Sequence, residues 1–563
     1  VSTSDESGKQ QSGIPGRPTR RRFPVVPDDV LQRFNAKVLE PSTALRVPGQ
    51  PPIHPTVYVT DRLLVSGAAS DATREVLERA ATANGLRLER RELTDSERIR
   101  ALVRAAGLDD DQFLYSSSVQ LVPAGTGPAA PPDAWAVLQT YRSLLDRSDP
   151  AQGQVALEHL LSASPYGSGN PYGSGNPYGS GNPYGSGNPY GSGNPYGSGN
   201  PYGSGNPYGS GNPASSTYGA PGWGGRSPVN WVGPEPHRRP DSAIKGRRPV
   251  VAVLDTGVGT HPWLPPSIVR EDTEVLGIPI GLQDPATDPE ATGIIDNPYE
   301  GTLDSDSGHG TFIAGLIRQS CPDADVLAIR VLSSDGIVTE STMLDTLTLL
   351  ALRQLIAQHT GDPAGLVDVV SLSFGYYHEL PDDLTFDPLL LHPLRLLSQC
   401  GTAVVASAGN DATNRPLFPA AFAPHNGGMI QAYEHDFVPL TSVGALNPDR
   451  TTALFSNAGP WVICKRPGAA LVSTFPVTFD GAAQPLYRTA NAVEGIRETL
   501  DPDDFSAGFG IWSGTSFAAP ILAGELAQAL LDDACGPTQT ADRATCVERG
   551  WIALAHTAGL PRP

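Results

Sequence analysis

The sequence predicts an α/β protein built on a doubly wound, mostly parallel sheet, preceded by a small α+β domain and a disordered repeat linker. Three observations lead there. Beyond residue 248, unalternating β-branched runs take turns with long helical segments. Between 43 and 149, shorter runs of both kinds follow one another, and from 165 to 212 the chain is eight consecutive copies of PYGSGN. At 563 residues the chain exceeds what one core organises, which fits two or three folded units.

In chain order, residues 1–42 are expected to be a disordered N-terminal segment. Residues 43–149 carry TVYVTDRLLV (56–65) as a strand, ATREVLERAATANG (72–85) as a helix and LRLERREL (86–93) as a strand. SERIRALVRAAG (96–107) follows as a helix and QFLYSSSVQLV (112–122) as an extended run. The unit closes on AWAVLQTYRSLLDR (134–147), which sets Trp135, Leu138, Tyr141, Leu144 and Leu145 along one helical side. Residues 150–247 read as a flexible linker. The repeat tract has neither charge nor aliphatic side chains, so it has no means of burying a core; its 48 residues would span roughly 35–42 Å as a coil.

Within 248–563, PVVAVL (249–254), DVLAIRV (325–331), VDVVSLS (367–373), TAVVAS (402–407) and LTSVGA (440–445) read as strands covered on both faces, as in a parallel sheet. STMLDTLTLLALRQLIAQH (341–359) and DPLLLHPLRLLSQC (387–400) are the most evident helices between them.

Composition removes several function classes. With 39 Lys and Arg against 59 Asp and Glu, the formal charge of −20 repels nucleic-acid backbones and anionic membranes, so neither is expected as a partner. No run reaches the roughly 18 apolar residues of a membrane helix, and FPVVPDDV after Arg20–Arg22 is too short and too acidic for a signal-peptide core. A cytoplasmic location is the expectation, and the start at Val1 leaves a secreted form open. Five cysteines show no Cys-x-x-Cys pair and no zinc-ligand spacing. They are expected to be reduced and mostly buried, Cys535 and Cys546 being the one pair close enough in sequence for a local disulfide.

Chemistry concentrates in three blocks, each where a strand ends or a helix begins. VLDTGVG ends a strand in Asp255, HGTFIAG opens a helix at His309, and SGTSFAAP opens another at Ser516. A serine hydroxyl is a poor nucleophile at neutral pH and needs a base; histidine suits that task, and an aspartate fixes its tautomer. The small neighbours Gly514, Ala518 and Ala519 leave Ser516 reachable, and Pro520 falls early enough in the helix to cost at most one hydrogen bond.

Together, and in the order Asp, His, Ser, these blocks resemble the signatures of subtilisin-like serine proteases over about 248–556. The resemblance implies a serine endopeptidase working through an acyl-enzyme, with Asp255, His309 and Ser516 as triad and no cofactor for catalysis. Asn410, in the glycine turn ASAGND, resembles the family's oxyanion-hole asparagine. The same resemblance makes Ser371, Leu372, Ser373, Phe374 and Gly375 a substrate-aligning edge, and Ser407, Ala408 and Gly409 the opposite pocket wall. A peptide or protein substrate is expected to bind as an added strand. Histidine as base and asparagine at the oxyanion position argue against a sedolisin-type site. Membrane-anchored mycosins share the blocks, and with no spanning segment in view the chain is expected to lack their anchor.

Two insertions depart from a minimal member. Segment 264–306 carries Asp284, Asp288, Glu290, Asp296, Glu300, Asp304 and Asp306; structural calcium is compatible with it, but no calcium-loop spacing appears, so a solvated acidic loop is expected. Segment 474–510 runs into the serine block as a rim or lid. Residues 43–149 have the size of a prodomain and are expected either to contact and restrain the protease or to recognise a partner, with self-cleavage in an exposed 213–247. The alternative from another class is an interaction or scaffold protein that uses the repeat tract and N-terminal domain, with a silent protease fold.

Overall fold

The computed structural model describes residues 26–47, 50–91, 96–108, 116–125, 130–146, 148–163, 225–271, 273–380, 389–426, 428, 430, 434–532, 535 and 542–561. The repeat tract 165–212 and most of 1–42 lie outside the described residues.

The C-terminal unit is organised by one seven-stranded sheet in which every neighbour pair is parallel. Its order is Cys464–Pro467, Thr441–Leu446, Ala403–Ser407, Val369–Leu372, Val250–Asp255, Asp325–Arg330 and Val269–Arg270. Strand alternation divides the apolar runs between two cores. Ala252, Leu254, Ile329, Val370 and Val404 face the helix Glu340–Thr360 through Met343, Leu347 and Leu350. Val251, Val253, Ala328, Val369 and Val405 face the helices His309–Ser320, Thr515–Ala529 and Arg543–Ala558. Both helices that open on candidate catalytic residues therefore lie on one side of the sheet, and the predicted doubly wound arrangement is present.

The N-terminal unit begins earlier and ends later than 43–149. The helix Asp28–Arg33 and strand Ala36–Leu39 precede it, the strand pairing along Thr56–Val65, so residues 26–42 are part of the fold. Val155–Ala163, placed in the linker by composition, is a strand between Thr56–Val65 and the C-terminal unit. It extends an antiparallel sheet that continues through Ser117–Pro123 to Leu86–Arg91. The helices Asp71–Ala83 and Ala134–Ser143 cover one face through Leu77, Trp135, Leu138 and Tyr141. The other face, with Leu64, Ala156 and Leu161, joins the core against Glu340–Thr360.

Of residues 225–247, the start is tied down and buried at 225–228, whereas most of 229–246 is exposed as expected. Ser227–Pro228 pairs with Phe509–Trp512, and the buried Arg226 donates to the carbonyls of Asp304 and Ser305, each at 2.6 Å. The insertion 474–510 roots itself beneath the site, where Phe475 stacks on Phe505 at 4.2 Å, and carries outward a hairpin, Arg488–Asn491 with Gly495–Glu498, whose residues are all exposed. All five cysteines are free thiols. Among the described residues no helix is long and apolar enough to cross a membrane.

Candidate active site

The C-terminal ends of the parallel strands deliver the predicted residues. Asp255 is the last residue of the buried strand Val250–Asp255, and His309 is the first of its helix. The turn after Asp255 and the start of that helix touch through backbone: a Cβ on Gly310 would lie 2.1 Å from the Gly257 carbonyl, so this position admits only glycine. The approach brings His309 Nδ1 to 2.7 Å from Asp255 Oδ1, with the imidazole packed between Trp512 and Phe517 at centroid distances of 5.7 and 5.3 Å. His309 Nε2 makes no hydrogen bond to a described residue.

Ser516, second in the helix Thr515–Ala529, donates its hydroxyl to the Ser373 carbonyl at 3.0 Å rather than to His309. The reverse bond exists too, Ser373 Oγ donating to the Ser516 carbonyl at 2.8 Å. Pro520 explains this second bond: it has no N–H to give the carbonyl four residues before it, and the hydroxyl of the neighbouring strand supplies the missing donor.

Asn410 is held by its oxygen. Both the N–H and the Oγ1 of Thr515 donate to Oδ1 at 2.9 Å, which fixes the carboxamide with Nδ2 turned away from Thr515. The buried Asn457 supports the same loop, accepting from the N–H groups of Asp411 and Thr413 at 3.0 and 3.2 Å and donating to the Ala408 carbonyl at 2.9 Å. Gly409 has φ +95°, and a Cβ there would lie 2.4 Å from Asn457 Nδ2. Thr515 and Asn457 were missed by sequence reading. The threonine could have been found beside the serine in GTS, whereas nothing near Asn457 signals its role.

Of the expected edge SLSFG, only Ser373–Gly375 lies beyond the core strand. Ser371 and Leu372 sit inside the core strand Val369–Leu372, because the strand passes through the sheet before reaching the surface. Phe374 is buried in the core and does not fill a pocket, while its backbone and that of Gly375 pair with Ala163 and Ser162. Ser407 and Ala408 are buried at the end of the adjacent strand. On its other side, Val155–Ala163 pairs with Ile337–Thr339, and the Ala163 N–H donates to Gly336 O at 2.7 Å. The end of the N-terminal unit thus lies as an antiparallel strand between two edges.

Electrostatics concentrate charge around His309. Burial lowers its pKa, but the charge and hydrogen bond of Asp255, with Asp306 and Glu290 behind, more than offset this and leave it raised. The acidic insertion is solvated only in part, with Asp284, Asp296 and Glu300 exposed. Glu290 and Asp306 are buried, with burial pushing their carboxyls up to about 7 and about 6. Asp284 and Asp288 cap short helical turns, and Asp304 accepts from the N–H groups of Ile295 and Asp296 at 2.7 and 3.0 Å. These carboxylates satisfy backbone donors.

Among the described residues, His159, His378 and Glu379 have spacing that would suit a metal ion. The donor set fits poorly. His378 Nδ1 accepts from the Leu380 N–H at 3.0 Å, so in the neutral ring the proton sits on Nε2, the atom that would face the ion.

The Subtilase family model matches residues 246–539. Mycosin-4 of Mycobacterium tuberculosis is 26% identical over 288 residues, 49% of this chain and 54% of that protein; the chain thus spans about half of that relative's length. The Intracellular serine protease of Paenibacillus polymyxa is 27% identical over 273 residues, 45% of this chain and 68% of that protein. A crystal structure of a cold adapted subtilisin-like serine proteinase aligns at 19% identity with a TM-score of 0.32, covering 56% of this chain and 86% of that one. With just over half of its length matched by the family model, and the Asp, His and Ser blocks at the ends of a parallel sheet, the chain belongs to the Subtilase family.

Proposed function

We propose that this chain is a serine endopeptidase acting through an acyl-enzyme, with Asp255, His309 and Ser516 as its triad. The observation that carries the reading is the 2.7 Å Asp255–His309 bond beside a helix that opens on Ser516, with Nε2 on the far side of the ring from the aspartate. Ser516 Oγ turns from the Ser373 carbonyl to Nε2, transfers its proton there and attacks the peptide carbonyl carbon. The C–N bond then breaks as Nε2 returns the proton to the leaving amine, and water, activated by the same nitrogen, releases the acyl group. Asp255 holds the tautomer and steadies the imidazolium. Asn410 Nδ2 and the Ser516 N–H meet the oxyanion, their aim set by Thr515 and by the positive end of the helix.

The substrate is a peptide bound as an added strand between Gly336–Thr339 and Ser373–Gly375. Occupation of that slot by Val155–Ala163 supports a second reading of residues 26–163, as a domain that restrains the protease by filling its non-primed side. Catalysis needs no cofactor in this scheme.

The test is labelling by a fluorophosphonate probe together with peptide hydrolysis. Ser516→Ala abolishes both; Asn410→Ala lowers the catalytic rate about 10²- to 10³-fold with little change in KM. Undiminished turnover in Ser516→Ala would remove the mechanism. Residues 225–563, expressed alone, are labelled faster than the full chain, and added 26–163 slows them in a dose-dependent way. Indifference to the added domain would leave partner recognition as its role.

A further inference from the structure

One side chain of the acidic insertion reaches the turn and the helix start that carry Asp255 and His309. Glu290, on the short helix Pro289–Thr292, is wholly buried, and its carboxylate accepts three hydrogen bonds. Thr256 Oγ1 and the Gly308 N–H donate to Oε1 at 2.5 and 3.0 Å, and Thr311 Oγ1 donates to Oε2 at 2.5 Å. Thr256 follows Asp255 in the chain, Gly308 precedes His309, and Thr311 lies one residue past Gly310. Thr256 Oγ1 also accepts from the Gly310 N–H at 2.9 Å, which closes the link between the two turns.

We propose that Glu290 is a positioning residue of peptide hydrolysis: its buried carboxylate locks the turn carrying Asp255 to the helix start carrying His309, and its charge steadies the imidazolium formed as Ser516 gives up its proton. The inference rests on the serine-peptidase reading above. The charged groups around it are Asp255 on the strand, Asp306 and His309 at the helix start, Arg226 and Arg330 from the flanking segments, and Asp288 on its own loop. Arg330 is occupied by Thr287 Oγ1 and the carbonyls of Leu282 and Asp284, and Arg226 by those of Asp304 and Ser305, so neither forms an ion pair with Glu290. Burial pushes the Glu290 carboxyl up to about 7, against the lowering effect of its bonds from Thr256 and Thr311. Below that pH the group is neutral and glutamine imitates it. Above it, the negative charge is present only in the native protein.

The experiment measures the rate of fluorophosphonate labelling of the full chain against pH for the native protein, Glu290→Gln and Glu290→Ala, with the low-field proton resonance of the Asp255–His309 bond as a second readout. Glu290→Gln should track the native protein on the acid side and reach half its plateau at lower pH, because His309 loses its proton more readily without the neighbouring charge. Glu290→Ala should drop the plateau about 10²-fold, the cost of a small misplacement at the reacting atoms, and shift or broaden the low-field resonance. A merely structural carboxylate would lower thermal stability without moving the half-point. A Gln variant with the native half-point, or an Ala variant with the native plateau and resonance, overturns the proposal. If neither the full chain nor residues 225–563 take label, the peptidase reading falls, and the low-field resonance still decides whether Glu290 holds the pair.

Discussion

His309 and His159 are both buried and hydrogen-bonded to carboxylates, and they differ in how many ring nitrogens are taken. His309 bonds Asp255 through Nδ1 and leaves Nε2 without a described partner, whereas His159 meets Glu340 through Nδ1 at 2.7 Å and Glu379 through Nε2 at 3.0 Å. A ring flanked by carboxylates on both nitrogens carries both protons and becomes a fixed cation; a ring held on one side can pass a proton through the other. The two sites also differ in what they join. Asp255 and His309 belong to one unit, while His159 ends the N-terminal sheet and Glu340 and Glu379 belong to the C-terminal unit. On the proposed mechanism, a histidine held by a carboxylate is a base in one place and a latch in the other, and the second nitrogen decides which.

Four measurements break or sharpen that contrast. His309→Ala should lower peptide hydrolysis about 10⁶-fold, as expected when one member of a triad acting as a unit is removed, and leave amide hydrogen exchange in Val155–Ala163 unchanged. Turnover within tenfold of native would deny His309 its role.

His159→Ala does the reverse. Glu340 and Glu379 are left facing one another buried and without their shared cation, which costs the docked state about 3–5 kcal/mol; exchange in Val155–Ala163 should accelerate and labelling of Ser516 should rise. A variant that stays docked and loses activity would show the two histidines to be one system.

The third measurement is a pH series on the native protein. Burial opposes the charge on His159, but the hydrogen bonds and charges of Glu340 and Glu379 outweigh it and push the pKa up to about 10. Because the docked value is raised, this contribution is fully present below the ordinary value of about 6.5 and is lost as pH climbs through about 10. His378, Arg142, Tyr58 and Arg415 also face Glu379, whose pKa is lowered; burial works the other way, but the charges of His378, His159 and Arg142 prevail and keep the carboxylate ionised across this window. Protection of Val155–Ala163 should therefore be greatest below about pH 6.5, decline progressively above it and reach its floor by about pH 10. Loss of protection as pH falls from 7 to 5 instead would mean that His159 is docked as a neutral ring.

The smallest effect is expected from Glu340→Gln. The amide oxygen still accepts from Nδ1, so only the charge assistance disappears, roughly 1–2 kcal/mol of docking. A loss as large as that of His159→Ala would show that Glu340, and not Glu379, carries the latch.

What could be read in advance follows from how local each signal is. Buried parallel strands announce themselves as runs such as VVAVL and AVVAS, and Asp255, His309, Asn410 and Ser516 stand in short blocks whose small neighbours serve close approach. Their companions come from elsewhere in the chain. Glu290 sits in DPEATG, with the look of a surface turn, and only the folded insertion carries it to Thr256 and Thr311. Val155–Ala163 reads as linker when its composition is averaged with that of the adjoining repeats, although VALEHLLSA is a strand-like run. Composition averaged over a window hid a boundary that register reveals. Phe374, named with the substrate-aligning edge, shows a related effect: alternation turns its side chain into the core and leaves backbone at the edge.

The wholly parallel central sheet has a consequence in folding time. Each strand must wait for a partner beyond a crossover, so loop-closure entropy is lost before any pairing returns it, and such topologies form slowly. Val155–Ala163 pairs antiparallel with Ile337–Thr339 on one side and Phe374–Gly375 on the other. By holding the two ends of the Glu340–Thr360 crossover at a set distance, it shortens the search for the pairing of Val369–Leu372 with Val250–Asp255. A chain that carries residues 26–163 therefore reaches its native sheet sooner after dilution from denaturant than one that starts at 225.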